Sequence, residues 1–360
     1  MMRKYIFYVL ACFNFIGMYA QDIEKLSWAK VSNKMPLEWY ASEQAVQIAD
    51  TVVKYQTEIG GWPKNVGFHK NVNQKDMERV RTSGIGATFD NGATINEMRF
   101  LAKVYESHPD KRYKEAFIKA FDYILKAQYD NGGWPQFYPV RKGRSVAYSG
   151  QITYNDNAFV NVMYMLQDIY KNSDCVKPLK LDEGIRQQAR SAFDKGVQCI
   201  LNTQIKCDGK LTVWCAQHDV KTFAPAKARA YELPSYSGAE SAALVLLLMT
   251  IPNPSQEVIA SVEGAVKWFE EHQISDMRYE RYFDDKGERN ARLIPDKGEV
   301  IWARFYDLDT GKPFFCDRDG VKRSSIDELG KERRGGYSWY VTSPKKVLDT
   351  YQKWIKTVKK

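Results

Sequence analysis

The stretch "GGWPKN" at residues 60–65 returns as "GGWPQF" at 132–137, each time four residues after a glutamine, Gln56 and Gln128. Two copies of Q-x-x-x-G-G-W-P, 72 residues apart, mark a repeated structural unit. A helical pattern runs into each copy. Ala45, Ile48, Ala49, Val52 and Val53 lead into Gln56, and Ala116, Phe117, Ala120, Phe121, Ile124 and Leu125 lead into Gln128. Both sets follow the i, i+3, i+4 spacing of an amphipathic helix with a wide apolar stripe. Fainter copies follow. Residues 182–203 lead into Gln204, with Gly209 at the place of the motif's second glycine, and residues 255–272 lead into Gln273. The glutamines are 72, 76 and 69 residues apart.

A second series of helices lies between these. "DNGATINEMRFLAKVYES" (90–107), "NDNAFVNVMYMLQDIYK" (155–171) and "SGAESAALVLLLMT" (237–250) each open with a residue that N-caps favour. The third is apolar on every side from Ala242 to Met249, so it must be buried all round. Its run is too short to span a bilayer. An apolar inner helix followed by an amphipathic outer one, repeated about every 70 residues, describes hairpins in a ring. The expected fold class is all-α, an (α/α)3 toroid with long active-site loops and a few short strands. Helix 41–55 and a closing helix 344–358 pack at its seam. Residues 274–343, rich in Arg, Asp, Gly and aromatics, break the pattern and suggest strands on a long excursion. No linker composition divides the chain, so residues 21–360 are expected to form a single domain. In this reading GGWP marks the turn where one hairpin ends.

The first twenty residues differ from the rest. "MMRKYIFYVLACFNFIGMYA" has a basic start, an apolar run and a small residue before "QD", the pattern of a secretory signal peptide cleaved after Ala20. The protein is therefore expected to be secreted or periplasmic, without stable membrane insertion. Five cysteines remain after cleavage, an odd number at spacings that match no zinc pattern. A disulfide among Cys199, Cys207 and Cys215 stays open. Net charge is +9, or +7 without Arg3 and Lys4, which suits an anionic partner. Export argues against nucleic acid, and a monomer is expected.

Three polar segments precede the inner helices: "TFDNGATINE", "TYNDNAFVN" and "YELPSYSGAE". They carry Asp90, Asn91, Asn155, Asp156, Asn157 and Glu240, oxygen ligands that suit a hard cation, Ca2+ before Mg2+. Asp90 and Asp156 read equally as N-caps. Lys227 and Arg229 precede the third inner helix, and the late excursion adds Arg304 and Arg318. Arginine suits bidentate carboxylate recognition. Trp28, Trp39, Trp214 and the two motif tryptophans offer either sugar-stacking faces or packing at the repeat turns.

These motifs together, "GGWPKN", "TFDNGATINEMRFLAKVY", "QYDNGGWPQFYP", "YNDNAFVNVM", "WCAQHD" and "ARAYELPSYSGAES", resemble family 10 of the polysaccharide lyases, pectate lyases with an (α/α)3 toroid. The resemblance runs from about residue 40 to 355. It implies Ca2+-dependent anti-β-elimination on polygalacturonate with an arginine as Brønsted base. Arg229 is similar to that base. Asp156 matches the calcium-binding aspartate, with Asp90 and Asn91 beside the site and Asp90 counted among the catalytic residues. Arg304, Arg318, Lys227, Trp214, His218 and Asp219 are assigned to substrate binding. Two other readings are an inverting hydrolase pairing Asp156 with Glu240 or Asp219, and a non-catalytic protein that binds acidic glycans.

Overall fold

The computed structural model describes residues 23–70, 75 and 86–359. The expected signal peptide, residues 1–20, lies outside the described residues. The chain forms two compact units, one of Met1–Lys126 with Asp168–Gln187, the other of Ala127–Gln167 with Gln188–Lys360.

The first unit is helical. It contains α1 (Trp28–Lys34), α2 (Glu43–Tyr55), α3 (Ile95–Ser107) and α4 (Lys111–Ala127) up to its last residue. α2 starts where Ser42 accepts a hydrogen bond from the Ala45 N–H, and it buries Ala45, Ile48, Ala49, Val52 and Tyr55. α3 buries Met98, Leu101 and Ala102 and turns Lys103 back on α1. The Lys103 ammonium donates to the last carbonyls of that helix, Ser32 O at 3.2 Å and Asn33 O at 2.9 Å. A cation there interacts favourably with the negative end of the helix dipole and satisfies orphan acceptors.

The second unit holds most of α5 (Ala158–Lys171) and α6 (Glu183–Thr203), then α7 (Gly238–Leu248), α8 (Gln256–Glu271), α9 (Lys331–Gly336) and α10 (Ser343–Val358). α7 is the apolar helix of the sequence, and α8, α10 and a long strand pack against it. The late excursion is a β-hairpin of β1 (Ile274–Phe283) and β2 (Arg289–Ala303), with β3 (Tyr340–Val341) on the other edge of β2. Tyr236–Ser237 pairs with Phe305–Tyr306 just after β2 ends, which ties the start of α7 to that strand. The approach is close. A Cβ on Gly238 would sit 2.4 Å from the Ala303 carbonyl, so only glycine fits. The five described cysteines are all free. Among the described residues, no helix is long and apolar enough to cross a membrane.

The repeated motif resolves into a latch. Gln56 Nε2 donates to Gly60 O in its own turn and to Ala116 O on the following outer helix, each at 2.7 Å. Gln128 does the same to Gly132 O (3.0 Å) and Ala192 O (2.9 Å). Gln204 repeats it with Thr212 O (2.8 Å) and Ser261 O (2.9 Å). The glycines let the turn touch the outer helix. Gly60 and Gly132 have φ of 107° and 87°, and a Cβ there would stand 2.3 Å from Lys119 O and 2.1 Å from Lys195 O. The two motif tryptophans and Trp214 pack inward. Trp62, Trp134 and Trp214 are 0%, 1% and 0% exposed, and the Trp62 and Trp214 indoles donate to helical carbonyls of Val52 and Ile200.

Candidate active site

The polar segment before α5 is a tight turn, Asn155–Asn157, with Asp156 at a left-handed φ of 52°. Short polar side chains tolerate that conformation best. It turns the Asp156 carboxylate outward, 35% exposed, while Asn155 is buried. Beneath the turn lies Arg304, placed by the strand pairing at the start of α7. Its Nη2 donates to Asn155 Oδ1 at 2.7 Å, pairs with Glu240, and stands 3.9 Å from Asp156 Oδ1. Glu240 in turn accepts from the Ser237 hydroxyl. Burial of the Arg304 guanidinium opposes its charge most strongly of any single cause, but Glu240, Tyr337, Asp156 and Glu232 together outweigh it and hold its pKa above the ordinary value.

The same network continues through an aromatic ring. The Arg304 guanidinium lies 4.7 Å from the Tyr337 ring, and the Tyr337 hydroxyl donates to Glu232 Oε1 at 2.8 Å. Glu232 is 3% exposed and grips Arg229, accepting from its Nε at 2.7 Å, from its Nη2, and from its backbone N–H. For Arg229, burial lowers the pKa, yet the Glu232 carboxylate prevails and the net direction is upward. Burial of Glu232 favours its neutral form, but Arg229 keeps it ionised. Three guanidiniums gather round the Tyr231 ring: Arg333 at 4.4 Å, Arg229 at 5.0 Å and Arg318 at 5.9 Å. Arg318 and Arg333 share the carboxylate of Glu332. This end of the second unit presents Arg229 and Arg318 with the outward carboxylates of Asp156 and Glu332, while Arg333 and Arg304 are buried. Arginines so placed suit carboxylate recognition.

Glu232, Tyr231, Tyr337 and Arg333 were not foreseen. Glu232 sits three residues after Arg229 in "ARAYEL", so the i, i+3 spacing was the available signal. Nothing in the sequence connects Tyr337 or Arg333 to it.

Several expected ligands are placed elsewhere. Trp214 is fully buried, so it offers no stacking face, and packing at the repeat turn accounts for it. His218 is also fully buried; its Nδ1 donates to Phe223 O (2.8 Å) and its Nε2 accepts from the Cys215 N–H (3.0 Å). Burial brings its pKa down to about 4, so it is neutral and structural. Asp219 closes its own turn, its Oδ1 accepting from the Lys221 and Thr222 N–H groups and the Thr222 hydroxyl. Arg304 supports the Asp156 turn from below, since 10% side-chain exposure leaves it little surface for a substrate. Lys227 and Arg318 are exposed. Glu240, ion-paired and 4% exposed, cannot serve water as the second carboxylate of a hydrolase.

In the first unit, Asp90 is 2% exposed and ion-paired with Lys64, and its N–H donates to Thr88 Oγ1 at 3.0 Å. Asn91 is exposed at φ 54° and donates to Asn65 Oδ1 at 3.1 Å. The two Asp-Asn pairs are therefore not equivalent. Thr88 and Thr153 each donate their N–H to the motif tryptophan carbonyl, which aligns Asp90 with Asn155 and Asn91 with Asp156. The outward, left-handed position holds an amide in the first copy and a carboxylate in the second.

Among the described residues, no group of three or more His, Cys, Asp or Glu side chains could hold a metal. Calcium takes about six to eight oxygens. The donor chemistry at Asp156 fits a hard cation as one ligand.

The pectic acid lyase family matches residues 56–348. The structure is similar to that of a family 10 polysaccharide lyase from Cellvibrio cellulosa, at 36% identity and a TM-score of 0.75, covering 88% of this chain and 94% of that one. It is equally similar to a point mutant of a family 10 polysaccharide lyase from Cellvibrio cellulosa in complex with trigalacturonic acid, at 36% identity and a TM-score of 0.75, covering 88% and 95%. A search among curated proteins returned no match. These likenesses bear out the fold class read from the repeats, the (α/α)3 toroid.

Proposed function

Because the chain belongs to the pectic acid lyase family, whose members are pectate lyases, we propose that it cleaves polygalacturonate by Ca2+-dependent anti-β-elimination outside the cytoplasm. The observation that carries this reading is the gathering of Arg229, Arg318 and Arg333 round Tyr231, joined through Tyr337 and Arg304 to the outward Asp156.

In this reading a galacturonate unit lays its carboxylate against that cationic surface. The C5 proton is too weakly acidic to remove until the adjacent carboxylate is neutralised, so the arginines stabilise the enolate-like charge as it develops. Asp156 would hold calcium, which when bound would add positive charge at the same carboxylate. A base takes the C5 proton, the C4–O4 bond breaks, and its electrons leave with the departing chain as the C4–C5 double bond forms. Water can protonate O4. Arg229 is the proposed base, and it can accept a proton only when Glu232 no longer holds it in the charged form. Arg304 keeps Asp156 in place.

The test is to incubate the purified protein with polygalacturonate, with and without EDTA, and to follow unsaturated product by its ultraviolet absorbance. Product that forms only without EDTA supports the reading. Reducing ends without unsaturation would mean hydrolysis and overturn it. Amino-terminal sequencing of exported protein tests secretion, with Gln21 expected as the first residue.

A further inference from the structure

The first unit contains a pocket of about 370 Å3 that the reaction above does not use. That volume is within the roughly 300–1,000 Å3 of small-molecule sites. One wall is aromatic, with the Trp28 indole stacked on the His69 imidazole, ring centroids 5.9 Å apart and planes within 12°. Glu97 lies in the same wall and is 1% exposed. Its Oε1 accepts from Trp28 Nε1 at 2.6 Å, while its buried Oε2 has no hydrogen-bond partner. His69, 8% exposed, is in the same condition. Its Nε2 donates to Leu26 O at 3.1 Å, which leaves Nδ1 as a buried acceptor without a donor.

Burial raises the pKa of the Glu97 carboxyl to about 7, so at pH 8 it is a carboxylate and both orphans are acceptors. Leaving a buried polar group unpaired costs about 1–3 kcal/mol. A ligand that completes this wall must bring donors to it. A carboxylate brings none and adds a negative charge beside Glu97. A neutral sugar ring brings several hydroxyls and an apolar face for the aromatic wall. Lys70 also lines the pocket, but it is exposed and solvent screens its charge.

We propose that this pocket binds a neutral pyranose unit through hydroxyls donated to Glu97 Oε2 and His69 Nδ1. The ligand class rests on the polysaccharide reading above; the pocket chemistry does not. The probe is methyl α-D-galactopyranoside, titrated calorimetrically at pH 8 against wild type, Glu97→Gln and His69→Ala, with methyl α-D-galacturonoside as comparison. Saturable binding of the galactoside to wild type is expected, weakened about tenfold by Glu97→Gln through loss of one charged hydrogen bond. The galacturonoside should bind at least about tenfold less tightly. If Glu97→Gln does not fold, His69→Ala reads the same loss at the other acceptor. Absence of saturable binding, as expected if the pocket holds only water, overturns the proposal. Binding unmoved by both substitutions, or equal binding of the two sugars, also overturns it. A protein that binds the galactoside yet yields no unsaturated product from polygalacturonate keeps this site and loses the lyase reading.

Discussion

Arg229 and Glu232 set the sharpest question at the scale of single residues. The bidentate grip holds the guanidinium charged, which suits a carboxylate ligand and opposes a base. If Arg229 is the base, Arg229→Lys should lower kcat by about 100-fold or more with KM little changed, because a base acts mainly in the transition state. Glu232→Gln should then raise activity at neutral pH relative to alkaline pH, since removing the carboxylate frees the proton. A pH–rate profile that does not move in Glu232→Gln, with a raised KM in Arg229→Lys, would make Arg229 a substrate cation. His218 carries a second expectation. Its imidazole takes a proton below about pH 6.5 in the unfolded chain and only near 4 when folded. Between those values the unfolded chain binds more protons, so stability falls as pH falls. The shift corresponds to about 3 kcal/mol. Urea unfolding at pH 7 and pH 4 should show that loss in wild type and not in His218→Gln; equal losses would refute it. These residues also mark where sequence reading stopped. "WCAQHD" carries residue types that bind sugars and equally pack cores, and only tertiary burial separates the two for Trp214 and His218. The slip between Asp90-Asn91 and Asn155-Asp156 was hidden because both segments spell Asp-Asn.

Among elements, the helices were legible because apolar spacing and caps agree, as in α2 with Ser42 and α8 with Ser255. The third turn was less so. Gly209 matched the motif by position, yet its Cβ space is open. The close approach is relieved from the other side, by Gly264 on α8, where a Cβ would stand 2.7 Å from Leu211 Cβ. Contact between a turn and a helix needs one glycine, and either partner can supply it. This gives a paired prediction. Gly132→Ala combines a positive φ with a backbone clash and should cost about 3 kcal/mol or more, whereas Gly209→Ala meets only its φ and should cost about 1 kcal/mol. Denaturation midpoints at constant m-value would measure both, and equal costs would remove the close approach as the reason for the motif. The hairpin of β1 and β2 was read only as an excursion. Its strands are half exposed, so their alternation is weak, and the pairing that matters for Arg304 spans about 70 residues of sequence from Tyr236 to Tyr306.

For the whole molecule, the charge of +7 outside the expected signal peptide suits an anionic polymer. Raising ionic strength from about 50 to 500 mM should raise KM for polygalacturonate several-fold and leave kcat nearly constant, because screening weakens approach more than chemistry. A KM indifferent to salt would count against long-range attraction between the chain's charge and the polymer. The glutamine latches carry a different consequence, one of timing. Each latch waits for a carbonyl 60, 64 or 57 residues further along the chain. Synthesis runs at about 5–20 residues per second, so every turn stays unfastened for about 3–12 s after it is made. Nascent chains arrested just before Ala116 should be cut readily by protease at the first turn, and chains arrested well beyond it should resist. Each turn is thus expected to fasten only once the helix that follows it is present.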